Sequence, residues 1–331
     1  MLSPSDNACF IGCTRQKLEN MANTEKNILI TGVAGFIGSN LLDFLIENTN
    51  WTIVGVDNLS TGNKDNIAEH FHNKRFALLE MACSELKTLK AYDLIFHLAA
   101  LPRIQPSFEA IMEHVDANLN QALYLIELMI AENHFPRLIY SGSSAAYGTP
   151  TIIPTPENEK IDCLSPYAFQ KYEFEKYLDL IATRYPLDYV TLRYFNPYGN
   201  RSFNPKNTFN AYSSVVGIFL NRKKEGKPLL VTGDGSQQRD FVHVLDLAKA
   251  NYLAAIHPIK LNTAFNVGFG ATKSILELAK LIDGDKFVFI DKREGEADIT
   301  FADTTKIANT LGWKPGLDIE TYINQELQKI T

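Results

Sequence analysis

Asn27-Ile28-Leu29-Ile30-Thr31-Gly32-Val33-Ala34-Gly35-Phe36-Ile37-Gly38 is the stretch on which the reading of this chain turns. A short apolar run ended by glycine predicts a strand buried on both faces. Past Gly35 the period changes: Phe36, Ile37, Leu41, Leu42, Leu45 and Ile46 have helical spacing, in a segment that runs to Asn48. The intervening Gly-x-x-Gly-x-x-Gly is a phosphate-binding turn in the right place. One glycine permits the sharp turn, one lets backbone N–H groups approach a pyrophosphate, and one lets the helix pack close, with its N-terminus facing the anion. Gly32, Gly35, Phe36, Ile37 and Gly38 are the expected cradle for a dinucleotide, the alternative being a purely structural turn.

Working outward, Thr52 to Asp57 predicts the next strand. Asp57 closes it about 20 residues past the loop, where a carboxylate accepts both hydroxyls of an adenosine ribose. A carboxylate there repels a 2′-phosphate, which favours NAD over NADP; Asp57 could instead cap the following turn. Further strands are predicted at Phe76 to Leu79, Asp93 to Leu98, Arg137 to Tyr140 and Tyr189 to Tyr194, with long helices over Ser107 to Asn133 and Pro166 to Tyr185. Strands alternating with helices predict an α/β fold, a Rossmann-type doubly wound parallel sheet. After Gly199 the chain becomes rich in Asn, Pro, Gly and Lys, with helices expected near Ser213 to Lys224, Asp246 to Ile256 and Ser274 to Ile282. The Arg222-Lys223-Lys224 run reads as the solvated end of the first of these.

Tyr167 and Lys171 stand four apart in Ser165-Pro166-Tyr167-Ala168-Phe169-Gln170-Lys171 and share a helix face. An ammonium there can depress a phenol from its free pKa of about 10 towards working pH, making a general base beside a hydride acceptor. Taken alone the pair is also compatible with surface decoration.

The 331 residues suffice for one large α/β unit or two lobes, and 45% hydrophobic with 21% charged residues is ordinary for a soluble enzyme. A net charge of −6 argues against a nucleic-acid partner, and no apolar run reaches membrane-span length. Residues 1–25 are polar and turn-rich, and read as a disordered extension with Met21 as an alternative start. Cys9, Cys13, Cys83 and Cys163 form no framework and suit a reducing cytoplasm; Cys9-x-x-x-Cys13 lacks the second pair a metal site needs, so no metal is expected.

Taken together, these motifs resemble the extended short-chain dehydrogenase/reductase family, in particular its nucleotide-sugar 4-epimerases acting on UDP-glucose and UDP-N-acetylglucosamine. The resemblance runs from Asn27 to Pro315 and is carried by the glycine loop, Val56-Asp57-Asn58, His97-Leu98-Ala99-Ala100 and Ser141-Gly142-Ser143-Ser144-Ala145-Ala146-Tyr147-Gly148. It continues through Tyr167-x-x-x-Lys171, Arg193-Tyr194-Phe195-Asn196-Pro197-Tyr198-Gly199, Gly233-Asp234-Gly235 with Arg239-Asp240-Phe241, Arg293 and Leu311-Gly312-Trp313-Lys314-Pro315. It implies that Asn58, Leu98, Ala99, Ala100, Tyr167, Lys171 and Tyr194 join the NAD site. Glu80-Met81 stands where relatives carry Asp-Ile against the adenine, and Asn118 matches an asparagine that supports the site, a plain helix-face residue being the alternative. Ser143 would hydrogen-bond the reacting sugar hydroxyl, or else be a turn serine. Asn196, Arg239 and Arg293 match binders of the nucleotide-sugar diphosphate, for which bidentate guanidinium groups are suited. The resemblance further implies an NAD-binding lobe of residues 26–196 plus 237–262, a smaller α/β nucleotide-sugar lobe of 197–236 plus 263–331, and a homodimer formed through the two long helices.

The implied chemistry is oxidation at C4 by Tyr167 and NAD, turning of the 4-keto sugar, and return of the hydride to its other face. Relatives that dehydrate or decarboxylate carry acids just after the Ser143 position; here Ser144 and Ala145 stand there. Thr300 occupies a position that is a bulky tyrosine in glucose-restricted relatives, leaving room for an N-acetyl group, although it could merely pack on a strand. Arg103 falls beside the sugar and could pair a uronate carboxylate, a surface arginine being the alternative. The order of expectation is UDP-GlcNAc/GalNAc or UDP-Glc/Gal, then UDP-glucuronate. The rivals are a net nucleotide-sugar oxidoreductase or 4,6-dehydratase and, from another class, a redox-sensing binding protein that uses the nucleotide lobe without catalysis.

Overall fold

A computed structural model describes residues 24–204 and 213–330. The extension through residue 23, with Cys9, Cys13 and Met21, lies outside them. Strands β1 (Asn27–Thr31), β2 (Thr52–Val56), β3 (Phe76–Leu79), β4 (Leu94–His97), β5 (Arg137–Ser143) and β6 (Tyr189–Tyr194) form as the apolar runs predict. Shorter strands β7 (Pro197–Tyr198), β8 (Leu229–Thr232), β9 (Gln238–Asp240) and β10 (Val242–His243) follow, then β11 (Thr263–Val267). The main sheet has seven strands in the order β11-β6-β5-β4-β1-β2-β3, and all its pairings are parallel.

Alternation along the strands divides the apolar side chains between two cores. Ile28, Ile30, Ile53 and Val190 enter the layer shared with the Phe36–Asn48 and Val244–Ile256 helices. Leu29, Ile95, Leu138 and Tyr140 enter the opposite layer, under the Gln121–Glu132 and Pro166–Ala182 helices. Helices on both faces of a parallel sheet are the doubly wound arrangement, and β1 and β4, adjacent at its middle, mark the point where strand order reverses and ligands bind. A third core gathers Tyr198, Phe219, Leu229, Leu278 and Ile323. Its framework includes β12 (Thr272–Ser274), β13 (Phe287–Ile290) and β14 (Ile299–Thr300), in a β12-β9-β14 sheet and a β13-β8 pair.

Four expectations need correction. The chain's return to the large sheet runs past residue 262, because β11 pairs with β6 along its whole length. Residues 237–241 do not belong with that return, since β9 joins the small sheet. Ile307, Leu311 and Trp313 pack in the first large core, so the C-terminal segment is shared between the two lobes. The helix expected over Ser107 to Asn133 is broken: Ile104–Glu109 ends at Ala110 (φ −123°, ψ 59°), Ile111–Val115 follows, and a wide π turn at Asp116–Asn120 leads into Gln121–Glu132. Apolar spacing does not reveal the break at Ala110, nor the π turn, in which Asn118 makes tertiary bonds to Leu101 and Gln170. The Pro166–Ala182 helix starts where expected, with Pro166 in its first turn and the Ser165 hydroxyl accepting from the Ala168 amide at 3.2 Å. A closing helix, Ile319–Ile330, lies beyond the helices that the spacing predicts, its start capped by Asp318, which accepts from the Thr321 amide at 2.9 Å.

Candidate active site

Above the C-terminal ends of β1, β4 and β5 opens a cleft of about 920 Å³ that runs from the glycine loop across to the smaller lobe. Gly32 adopts φ +72°, and a Cβ there would stand 2.7 Å from the Ala99 nitrogen. A Cβ on Gly38 would meet the Gly32 carbonyl oxygen at 2.1 Å. The loop is therefore compressed onto neighbouring backbone in a way only glycine allows. The helix that follows begins at Phe36 with no side-chain cap and no acid in its first turn. Its leading amides face the cleft as an anion cradle, which suits the pyrophosphate of NAD. Asp57 accepts from the amides of Ala34 (2.9 Å) and Leu59 (2.8 Å), so it caps its own turn and braces the loop as well as facing the cleft. Burial pushes its carboxyl up, and those two backbone bonds pull it back. The residues present fit the dinucleotide.

At the other wall stands the proposed catalytic group. Ser141 and Ser143 project from the end of β5, and Tyr167 and Lys171 from the first turns of the Pro166–Ala182 helix. The Tyr167 amide donates to Ser107 at 3.1 Å, tying that helix to the one that starts at Ile104. The buried Lys171 amine donates to Ser141 at 3.3 Å and sits 4.7 Å above the Tyr140 ring. Ser141 in turn donates to the His97 carbonyl at 3.0 Å. Ser143 accepts from the Ala145 amide at 3.2 Å, as a turn serine would.

The electrostatics here correct the simplest reading of a tyrosine–lysine pair. Burial raises the Tyr167 phenol above its ordinary value, with Ser143 and the Arg103 guanidinium pulling the other way. Burial also pulls the Lys171 amine down to about 7, and Glu175 opposes that pull. Desolvation thus acts against both charged forms, and helix spacing alone does not make the phenolate. His97, buried with Nδ1 2.8 Å from the Thr31 hydroxyl, is pulled down to about 3 by burial and by Lys171, and it stays neutral.

Across the cleft, Arg239 (buried) and Arg293 (exposed) both face Glu296, at 3.2 Å and 3.8 Å. Asn196, at φ 21°, donates its amide to the Asp240 carbonyl at 2.9 Å and to the Thr300 hydroxyl at 2.8 Å. Thr300 lies on β14 opposite Arg239, so it packs on a strand while also lining the cleft. Arg103 occupies φ 130°, a conformation rare for a residue with a side chain, at the turn entering the Ile104 helix. Every residue expected at cofactor or sugar lines this cleft except two. Glu80 pairs with Lys64 at 2.5 Å, half exposed, and leaves Met81 to line the cleft. Asn118 lies behind the wall, where it accepts from the Leu101 amide at 2.7 Å and donates to Gln170 at 2.9 Å. It fastens the loop after β4 to the Pro166–Ala182 helix.

Residues 28–268 match the NAD dependent epimerase/dehydratase family. The chain belongs to that family. A putative UDP-glucose 4-epimerase of Methanocaldococcus jannaschii is 35% identical over 90% of this chain and 96% of its own length. The UDP-N-acetylglucosamine 4-epimerase of Methanobrevibacter ruminantium, solved with UDP-N-acetylmuramic acid, superposes with a TM-score of 0.82 at 31% identity, covering 93% of this chain and 97% of that one. A variant of the UDP-glucuronic acid 4-epimerase of Bacillus cereus, solved with a fluorinated UDP-glucuronic acid and NAD, gives a TM-score of 0.83 at 26% identity over 92% and 98% of the two chains.

Two parts of this epimerase-family site escaped sequence reasoning. Ser141, the acceptor for Lys171, stands two residues before Ser143 and so shares its strand face, a signal that was available. Glu175 stands four beyond Lys171, on the same helix face, but its partner Arg193 lies on another strand.

Proposed function

We propose that this family member interconverts the C4 epimers of a UDP-sugar, with UDP-GlcNAc/UDP-GalNAc or UDP-Glc/UDP-Gal as substrates. The observation that carries the proposal is the joint placement of Tyr167, Ser143 and Lys171 beside the NAD cradle, with no carboxylic acid at Ser144 or Ala145. NAD supplies a hydride acceptor at C4 and a donor for the return. Tyr167 removes the C4 hydroxyl proton and later returns it, while Ser143 orients that hydroxyl. Lys171 holds positive charge near the phenol, and the Arg103 guanidinium adds to it. Arg239 and Arg293 exchange Glu296 for the diphosphate. A 4,6-elimination needs an acid–base pair that the two positions after Ser143 do not provide.

Incubating the purified protein with UDP-Glc, UDP-GlcNAc and UDP-GlcA and separating the C4 epimers tests this directly. A released 4-keto product with no epimer from any of them overturns it. Thr300→Tyr, which fills space beside Asn196, is expected to cut N-acetylhexosamine turnover at least tenfold more than hexose turnover; equal losses on both would remove Thr300 from sugar selection.

One observation favours a uronate as a second reading: Arg103 is held at φ 130° in the cleft, close enough to bear on the Tyr167 phenol. Under that reading Arg103→Met abolishes turnover of UDP-GlcA selectively. We also infer a homodimer. Phe108, Ile111, Met112, Phe169 and Leu180, on the helices expected to dimerise, are exposed apolar side chains. Sedimentation velocity that finds only monomer at micromolar concentration would refute it. No helix among the described residues is long and apolar enough to cross a membrane.

A further inference from the structure

We propose that Glu175, held by Arg193, is a positioning residue that keeps the Lys171 amine charged and seated against Ser141 during turnover. The inference rests on the reading of Tyr167 and Lys171 given above.

The geometry comes first. Glu175 is buried one helical turn beyond Lys171, on the same face of the Pro166–Ala182 helix. Its carboxylate presses on the backbone of β5 between the two active-site serines: a Cβ added to Gly142 would stand 2.8 Å from its Oε1. Arg193, on β6, grips both oxygens, with Nε to Oε2 at 3.0 Å, Nε to Oε1 at 3.2 Å and Nη2 to Oε2 at 2.6 Å. The guanidinium is itself anchored, since Nη1 donates to the Tyr147 hydroxyl at 2.7 Å and that hydroxyl donates to Asn266 on β11 at 2.7 Å. The carboxylate is therefore fixed in place on the helix face that carries Lys171.

A buried ion pair is a poor device for stability, because desolvation of both ions cancels most of their attraction. Burial pushes the Glu175 carboxyl up, and the Arg193 guanidinium in contact with it pulls it back towards the charged form, so the pair places a carboxylate near an amine that burial would otherwise discharge. The other groups around Lys171 offer no such charge. Tyr140, from β5, is kept neutral by burial; His97, from β4, is neutral; burial disfavours the Tyr167 phenolate, on the same helix, so that group bears charge only as it serves as base. Around Glu175 stand Arg193, Tyr147, Cys163, Tyr189, Lys176 and Asp179, of which Arg193 is the group in direct contact with its oxygens.

The sign follows. The lysine's charge is present below its pKa and lost above it. With burial already holding that pKa at about 7 and Glu175 acting to raise it, removing the carboxylate moves the loss of charge to lower pH. The test is the pH dependence of kcat for the NAD-loaded enzyme. Glu175→Gln is expected to shift the alkaline limb down by about one pH unit or more, so that its deficit against the wild type widens as pH rises. Glu175→Asp, which keeps the charge, is expected to recover most of the wild-type profile. Because Glu175→Gln leaves Arg193 buried and unpaired, Glu175→Leu combined with Arg193→Met supplies a charge-free version that folds without that penalty and shows the same shift. A lowered melting temperature with an unmoved profile, in Glu175→Gln or in the double variant, would make the pair purely structural and overturn the proposal. Near-normal turnover of Tyr167→Phe would instead sink the reading of Tyr167 as base, whatever Glu175 does.

Discussion

Tyr167→Phe is expected to retain NAD and to lose about 10²–10⁴-fold in kcat, the range spanned by positioned proton transfer. The substitution removes one oxygen from a ring whose place is fixed by other contacts: the Tyr167 amide on Ser107, and the Ser165 cap that starts its helix. The NAD cradle, built from backbone on the opposite wall, is untouched by the change. Folding and cofactor content should therefore match the wild type while chemistry stops. Bound NAD released by denaturation and single-turnover oxidation of the sugar separate the two effects. The wild-type phenol is disfavoured as an anion by burial, and Ser143 and Arg103 only partly offset this. Positive charge from Lys171 and from the bound nicotinamide must complete the adjustment, so the proton-transfer step depends on the loaded site. A variant that keeps near-normal turnover would end the case for Tyr167 as the base.

Gly38→Ala is expected to lower NAD affinity at least 10²-fold and to destabilise the fold. The added methyl would lie 2.1 Å from the Gly32 carbonyl oxygen and 2.9 Å from the Val33 Cα, both backbone atoms. Gly32 cannot yield, because its own amide donates to the Val56 carbonyl at 2.8 Å and its Cα face is closed by Ala99 and Leu98. Relief must come from moving the first turn of the helix, whose amides are the anion cradle. Overpacking of this kind costs about 1–3 kcal/mol where neighbours can shift, and more where they are backbone. Gly226→Ala is the control for a glycine with open space around it. Unlike Gly38, that glycine has a positive φ, +69°, but an added Cβ meets nothing within 4 Å. Its cost should be confined to the backbone conformation, about 1–2 kcal/mol, with NAD binding unchanged. Calorimetry and NAD content decide; a Gly38→Ala protein purified with normal NAD would contradict the compressed-loop account.

The glycine loop, the strand before it and the helix after it were legible because each is a local pattern: an apolar run, three glycines and a change of period. The same holds for Asp57 at its strand end and for Tyr167 and Lys171, four apart behind a serine cap. Where local pattern fails, the reason is a bond to something distant in sequence. The helix expected over Ser107 to Asn133 widens into a π turn at Asp116–Asn120, where Asn118 bonds Leu101 and Gln170. Glu80 leaves the adenine side because Lys64 claims it. β11 belongs to the large sheet through its pairing with β6, which residue types in Thr263–Val267 do not announce.

By itself, then, the sequence determined the doubly wound class, the NAD loop and the pairing of Tyr167 with Lys171 on one helix face, since helix period, strand burial and glycine conformation are properties of neighbouring residues. Tertiary structure alone decided their electrostatic surroundings. It sets Lys171 in a buried site and brings Arg193 to Glu175. It also places Arg239 and Arg293 on Glu296. Desolvation and ion pairing depend on which distant groups share a volume, and that is settled only when the sheet and its helices close around them.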